Sequence, residues 1–342
     1  MNKNSYVSLA RRLVREILAA NKILITGHKN ADPDALAAAY VLRNFIEREL
    51  GRTVIISFPE GLNEVSKKIV NELGLENIYD HLIMYKSSIS EFFDKVIVVD
   101  TSSFEQLGVF KNILSSKNIV VVDHHSGGDM ARRSILSIID TYAKSTSEII
   151  YLLLKDFYKL DSIESMLLLA GIIYDTRRFL LATPRTLEIA GKLVGIEGVN
   201  YKAVIEMLQT EMDISERIAR LKAAQRLVFR RIGDYIIAYT HVSAFEGSAA
   251  RAILDLGADV AIVGSSNDET RIVVRMKPKV ARELGINIGK DIMPLVGEYL
   301  GGGGGGHDAA GAASGKGNLV KALRYTYKLI ASFIEKKINE TK

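Results

Sequence analysis

The chain has 342 residues, 48% hydrophobic and 25% charged, which excludes a fibrous or wholly disordered polypeptide and allows two domains of ordinary size. Cysteine is absent, so disulfides, thiolate nucleophiles and cysteine-held zinc are excluded, and any metal would be held by histidine and carboxylates. Forty-five Lys and Arg against 40 Asp and Glu leave a formal charge of +5, a mild excess that suits phosphate-bearing ligands without requiring them.

The first stretch, NSYVSLARRLVREILAA, reads as an amphipathic helix broken by Arg11, Arg12 and Arg15, unlike a signal-peptide core. No segment is apolar for long enough to span a membrane, and the expected compartment is the cytoplasm. KILITGHKN predicts a buried strand ending in polar residues, and DALAAAYVLRNFIEREL the helix after it. The alternation continues through TVIISF, a helical region from Leu62 to Leu73, KVIVVD, a helix from Phe104 to Leu114, NIVVVDHH and ILSIID. Apolar strands without polar alternation, interleaved with helices, predict a mainly parallel sheet with helices on both faces. Helices are then expected over Thr146–Tyr158, over SIESMLLLAGIIYDT, and from TPRTLE, where Thr183 can cap and Pro184 suits the first turn.

Residues 1–195 are thus read as one domain, 196–216 as a helical connection and 217–342 as a smaller mixed α/β domain. In the latter, RRIGDYIIAYTHV is a long strand or strand pair, Gly247–Leu256 a helix, and ADVAIVGS and TRIVVRM a hairpin around Asn267 and Asp268. IGKDIMPLVGEYL predicts a helix with Pro294 early in it, and Asn318–Lys337 a terminal helix. Between them stand six consecutive glycines, read either as a loose connector or, given helical neighbours, as a cradle of backbone N–H groups for phosphate.

The chemistry-bearing residues gather at strand ends. His28, Asp32 and Asp34 follow the first strand and suit a hard or borderline cation, although Asp34 could cap the next helix and Asp32 could form an Asx-turn. Asp100 ends KVIVVD, and Asp123, His124 and His125 end IVVVDHH. Open sheets place their sites at this edge. Asp175 closes an apolar helix, where both burial and the helix dipole oppose an unneutralised carboxylate. His28, Asp32, Asp34, Asp100, His124 and Asp175 are too many ligands for one tetrahedral ion and fit two divalent ions sharing a carboxylate.

With these residues the chain resembles the DHH phosphoesterase superfamily, in the branch with a C-terminal DHHA1 domain. HKNADPD, VVVDT, VVVDHH and GIIYDT are similar to its four N-terminal motifs, and GGGGGGHDAAG to the DHHA1 signature. The resemblance implies an active site in the interdomain cleft and two Mn2+ ions, with Mg2+ or Co2+ as alternatives. One ion would be held by His28 and Asp32, the other by Asp34, His124 and Asp175, with Asp100 bridging. Asp123 would orient a ligand histidine and His125 would stand beside the reacting phosphate. Arg275, His307 and the amides of Gly304, Gly305 and Gly306 would hold substrate phosphate. Where small-oligonucleotide relatives carry a serine after the arginine, this chain has Met276, followed by Lys277.

The activity so implied is a manganese-dependent phosphoesterase cutting oligonucleotides of two to five residues, or adenosine 3',5'-bisphosphate. Alternatives are a cyclic dinucleotide phosphodiesterase, a RecJ-type single-strand exonuclease and, in a different class, a noncatalytic replication or repair scaffold. The expected partners are short single-stranded oligonucleotides or phosphorylated nucleotides, with no membrane, and a homodimer is compatible with the resemblance.

Overall fold

Strands β1 (Lys22–Thr26), β2 (Thr53–Ile56), β3 (Lys95–Val99), β4 (Asn118–Asp123) and β5 (Leu136–Ile139) form a sheet in the order β2-β1-β3-β4-β5, parallel at every step. They belong to a computed structural model that describes residues 3–75, 78, 93–111, 118–209 and 212–341. Ile23, Ile25, Ile97, Val99, Val120 and Val122 enter one hydrophobic cluster, while Leu24, Val96, Val98, Ile119 and Val121 enter another. Alternate residues thus feed cores on opposite faces, which is why the strands are apolar throughout. The strand order turns about β1: β2 lies on one side and β3 on the other, so their carboxyl ends flank a topological switch point.

Helices α1 (Lys3–Leu18), α2 (Pro33–Leu50), α3 (Glu64–Glu72), α4 (Thr146–Leu154), α5 (Ser162–Asp175), α6 (Pro184–Val194) and α7 (Tyr201–Met207) complete this unit, Met1–Thr210. Thr183 caps α6 with Pro184 in its first turn, as the sequence signals indicate, and its reciprocal partner is Thr186. A 3-10 helix occupies Phe104–Phe110, and of the helix expected to Leu114, residues 112–114 fall outside the described residues.

The second unit, Glu211–Lys342, is built on β6 (Val228–Ile232), β7 (Tyr235–His241), β8 (Val260–Ser266), β9 (Thr270–Met276), β10 (Gly303–His307) and β11 (Ala310–Gly315). Their order is β10-β11-β9-β8-β7-β6, antiparallel except for β7 against β8. Helices α8 (Ile214–Gln225), α9 (Glu246–Asp255), α10 (Pro278–Leu284), α11 (Met293–Tyr299) and α12 (Leu319–Thr341) accompany the sheet. The helix expected over IGKDIMPLVGEYL is divided: Ile288–Ile292 forms a wide turn in which the Met293 N–H reaches the Ile288 carbonyl, and α11 follows. Pro294 has no N–H to offer the ladder at that junction.

The glycine run is neither a loose connector nor a free loop, because Gly303–Gly306 belong to the edge strand β10. A Cβ on Gly304 would lie 2.1 Å from the Met293 carbonyl oxygen, and one on Gly306 would lie 2.3 Å from that of Ala310. Glycine lets β10 approach α11 and β11 this closely.

Candidate metal centre

In the first unit the parallel register carries the loops after β1, β3 and β4 to one sheet edge. Gly27 permits this between β1 and β3, since a Cβ there would lie 2.8 Å from the Val99 carbonyl oxygen. Two groups of ligand atoms result, each gathered within 4.8 Å: His28, Asp32 and Asp100 in one, and Asp34, Asp100, His124 and Asp175 in the other. Asp100 belongs to both. A third such group joins Asp100, His124 and His125.

The candidate ligands have definite supports. The His28 Nδ1 lies 2.8 Å from the Lys29 carbonyl oxygen, to which it donates when protonated there, leaving Nε2 toward Asp32 and Asp100. Asp32, rather than Asp34, caps α2: its Oδ1 accepts from the N–H groups of Asp34 and Ala35. Asp34 is fully buried and accepts at Oδ2 from the Thr146 N–H and at Oδ1 from the Ser147 N–H, at the start of α4. The Thr146 hydroxyl donates to Asp100 Oδ1 at 2.9 Å. Asp100 is held in the left-handed region at φ 60°, a conformation that costs a non-glycine residue roughly 1 kcal/mol or more.

These supports include three residues the sequence reading did not single out. Thr146 and Ser147 stand where an N-cap pattern precedes an apolar helix, a signal for the helix but not for the carboxylates it would receive. Gly171, inside α5, is the third: a Cβ there would lie 2.3 Å from Ser147 Oγ and 2.7 Å from Asp34 Oδ1. Beyond Asp175, Arg177, Arg178 and Phe179 are successively left-handed, and the turn is pinned where the Phe179 N–H donates to Thr176 Oγ1.

Electrostatics set these groups against one another. Burial raises the Asp34 pKa, and the charges of Asp100 and Asp175 raise it further. Burial likewise raises that of Asp175. For Asp100 burial acts in the same sense, but the adjacent imidazoles of His124 and His28 hold it below the usual carboxylate range. Burial alone would lower both histidines, yet the carboxylates beside them, Asp100 for both, with Asp32 for His28 and Asp175 for His124, raise each to about 11. His124 Nε2 is buried and makes no hydrogen bond, although Asp175 Oδ2 lies at 3.1 Å and Asp100 Oδ1 at 3.4 Å. An orphaned imidazole nitrogen among crowded carboxylates fits divalent cations, whose charge would settle the cluster.

His125 stands apart from the proposed ligands in character. Its side chain is 60% exposed, and its Nδ1 lies 2.9 Å from Asp123 Oδ1. Asp123 was expected to orient a ligand histidine; its contact is instead with His125, whose pKa it raises. His28, Asp32, Asp100, His125 and Asp175 line one cavity of about 390 Å3, together with Gln106 and other polar residues.

The remaining expected residues lie in the second unit. Arg275 and His307 both pair with Ala310, placing the three in one cross-strand row. Met276 is turned into the hydrophobic core, away from Arg275, and Lys277 Nζ is 3.0 Å from Asp259 Oδ1. Among the aromatic residues of this unit, Tyr299 stacks on Tyr325 and Tyr239 lies against Tyr327, whereas Phe245 is 40% exposed.

Residues 22–174 match the DHH family, N-terminal domain. This part of the chain is a domain of that family, and with it the protein stands among the metal-dependent phosphoesterases. It is 30% identical to an uncharacterised protein of Methanocaldococcus jannaschii over 95% of this chain and 96% of that one. It is 31% identical to the protein named probable bifunctional oligoribonuclease and PAP phosphatase NrnA of Streptococcus mutans, over 62% of this chain and 64% of that one. A cyclic-di-AMP phosphodiesterase of Listeria monocytogenes is 26% identical over 62% of this chain, but the match spans only 34% of the relative's length. An exopolyphosphatase-related protein from Bacteroides fragilis shares the fold, with a TM-score of 0.62 at 15% identity and 98% coverage of both chains.

Proposed function

We propose that the protein hydrolyses short linear oligonucleotides, and adenosine 3',5'-bisphosphate, at a centre of two divalent ions, manganese being the preferred metal. The observation that carries this reading is the membership of Asp100 in both ligand groups. His28 and Asp32 would hold one ion and Asp34, His124 and Asp175 the other, with Asp100 common to both. Bound there, the ions would supply Lewis-acid activation of water and neutralise charge at phosphorus.

The protein's own groups do the rest. Thr146 and the first N–H groups of α4 fix the carboxylates of Asp100 and Asp34. Asp123 holds His125 through Nδ1 and favours its protonated form, so that Nε2 can donate to the leaving oxygen. Arg275, His307 and the glycine strand at Gly304, Gly305 and Gly306 serve as contacts for a substrate phosphate. The relative named for oligoribonuclease and PAP phosphatase activity supports linear substrates, and it matches along a larger share of its own length than the cyclic-di-AMP enzyme does.

A substrate panel with manganese tests the proposal, comparing 5'-phosphorylated dinucleotides, longer RNA, adenosine 3',5'-bisphosphate and cyclic di-AMP. Turnover of the linear dinucleotide or the bisphosphate is expected to dominate. Rapid opening of cyclic di-AMP with poor cleavage of linear dinucleotides would replace it with the cyclic reading.

A further inference from the structure

In the first unit the loops after β3 and β4 are stitched together beside the candidate metal centre. The Gly128 N–H donates to Ser102 Oγ at 2.8 Å, the Met130 N–H to the Ser102 carbonyl oxygen at 3.0 Å, and the Phe104 N–H to Asp129 Oδ1 at 3.1 Å. Gly128 permits this approach, because a Cβ there would lie 2.4 Å from the Ser102 carbonyl oxygen. The Lys29 N–H donates to the Gln106 carbonyl oxygen at 2.9 Å, which ties the same segment to the loop that carries His28. Residues 101–106 are thus held from both the His28 loop and the loop after His125.

Ser103, Gln106 and Ser126 line the cavity of about 390 Å3 that also takes in His28, Asp100 and His125. The neighbouring hydroxyls of Thr101 and Ser102 are engaged, accepting from the N–H groups of Ser103 and Gly128. The side chains of Ser103, Gln106 and Ser126, by contrast, make no hydrogen bond among the described residues. Three uncharged groups, each able to donate and to accept, therefore border the cavity with that capacity unspent. Among the described residues no Lys or Arg lines it. A phosphate against this wall would meet no cationic side chain other than a protonated histidine, whereas a hydroxyl-bearing sugar matches three neutral donor-acceptors.

We propose that this wall is a ribose subsite, in which the Gln106 amide and the Ser103 hydroxyl, together with Ser126, receive a 2'-hydroxyl. The inference rests on the oligonucleotide reading above and adds to it a preference for RNA over DNA. In a 3',5' linkage the 2'-hydroxyl sits on the carbon next to the one bearing the scissile phosphate. A sugar whose phosphate lies at the metal centre therefore brings that hydroxyl into the same cavity, and the nucleoside read is the one on the 3'-oxygen side. The 2'-hydroxyl both donates and accepts, and it is the group by which a protein separates RNA from DNA. A site built to bond a hydroxyl also penalises its absence, since its own polar groups are then left unpaired.

The test measures kcat/KM of the full chain, with manganese, for a 5'-phosphorylated diadenylate and for the same dinucleotide lacking the 2'-hydroxyl of its first nucleotide only. The wild type should favour the all-ribose substrate by about ten-fold, the scale of one net hydrogen bond. In Gln106→Ala, which keeps the backbone carbonyl that the Lys29 N–H uses, that ratio should fall toward one. Ser103→Ala should lower it in the same sense, and thermal midpoints confirm that each variant is folded. A merely structural role would reduce both substrates in proportion, so an unchanged ratio in the folded variants overturns the assignment. A wild-type ratio near one, with both dinucleotides cleaved, also overturns it while the oligonucleotide reading stands. Failure to cleave either dinucleotide would sink the oligonucleotide reading and this subsite with it.

Discussion

Asp100 follows a buried strand, adopts a left-handed backbone and shares both groups of candidate ligands. Its supports make separate predictions. Gly171→Ala would drive a methyl group into Ser147 Oγ and Asp34 Oδ1, destabilising the unit by about 1–3 kcal/mol and weakening manganese binding. Urea unfolding and metal titration of the same preparation check both effects. Ligation also requires His28 and His124 without their added protons, yet both are raised to about 11 in the metal-free protein. Metal binding at neutral pH should therefore release protons, on the order of two, and manganese affinity should fall as pH is lowered. Calorimetry in buffers of different ionisation enthalpy measures the release; net proton uptake would contradict the assignment. The candidate ligands were legible because they cluster at strand ends, where acids and imidazoles interrupt apolar runs. Thr146 and Gly171 were not, because their roles arise from contacts with Asp34 and Asp100, which only the packed fold brings near.

The glycine strand shows where element reading failed and why. Six glycines carry no side-chain periodicity, so sequence offered a connector or an anion-binding loop, while the observed strand is specified by its neighbours. Gly304 faces α11, whereas Gly303 has open space above its missing side chain. Gly304→Ala should consequently destabilise the second unit by about 2 kcal/mol or more, and Gly303→Ala by well under 1 kcal/mol, as read from unfolding midpoints. Equal effects would contradict the alternation of faces. The parallel strands were easier to recognise, because burial on both sides makes their sequences apolar throughout. The split before α11 was hidden by an apolar pattern that runs unbroken through the wide turn and the helix.

At the scale of the whole molecule, the ordered motifs from Gly27 to Gly311 made the family legible, while substrate choice depends on surfaces that motifs do not encode. Among the described residues no helix is long and apolar enough to cross a membrane. If the substrates are short oligonucleotides as proposed, turnover should decline as RNA lengthens beyond about five nucleotides, with a weak salt slope. Rising turnover on long RNA with a steep salt slope would point to a surface that tracks an extended backbone. The shared-carboxylate centre itself is tested most directly by measuring manganese-dependent hydrolysis of a 5'-phosphorylated dinucleotide by wild type and Asp100→Asn, alongside metal stoichiometry. Asn keeps the shape of the side chain and removes the charge common to both ion sites. The account predicts two ions and hydrolysis in the wild type, with turnover lowered by roughly a thousand-fold or more and metal binding impaired in folded Asp100→Asn. Comparable turnover by that variant at saturating manganese would contradict it.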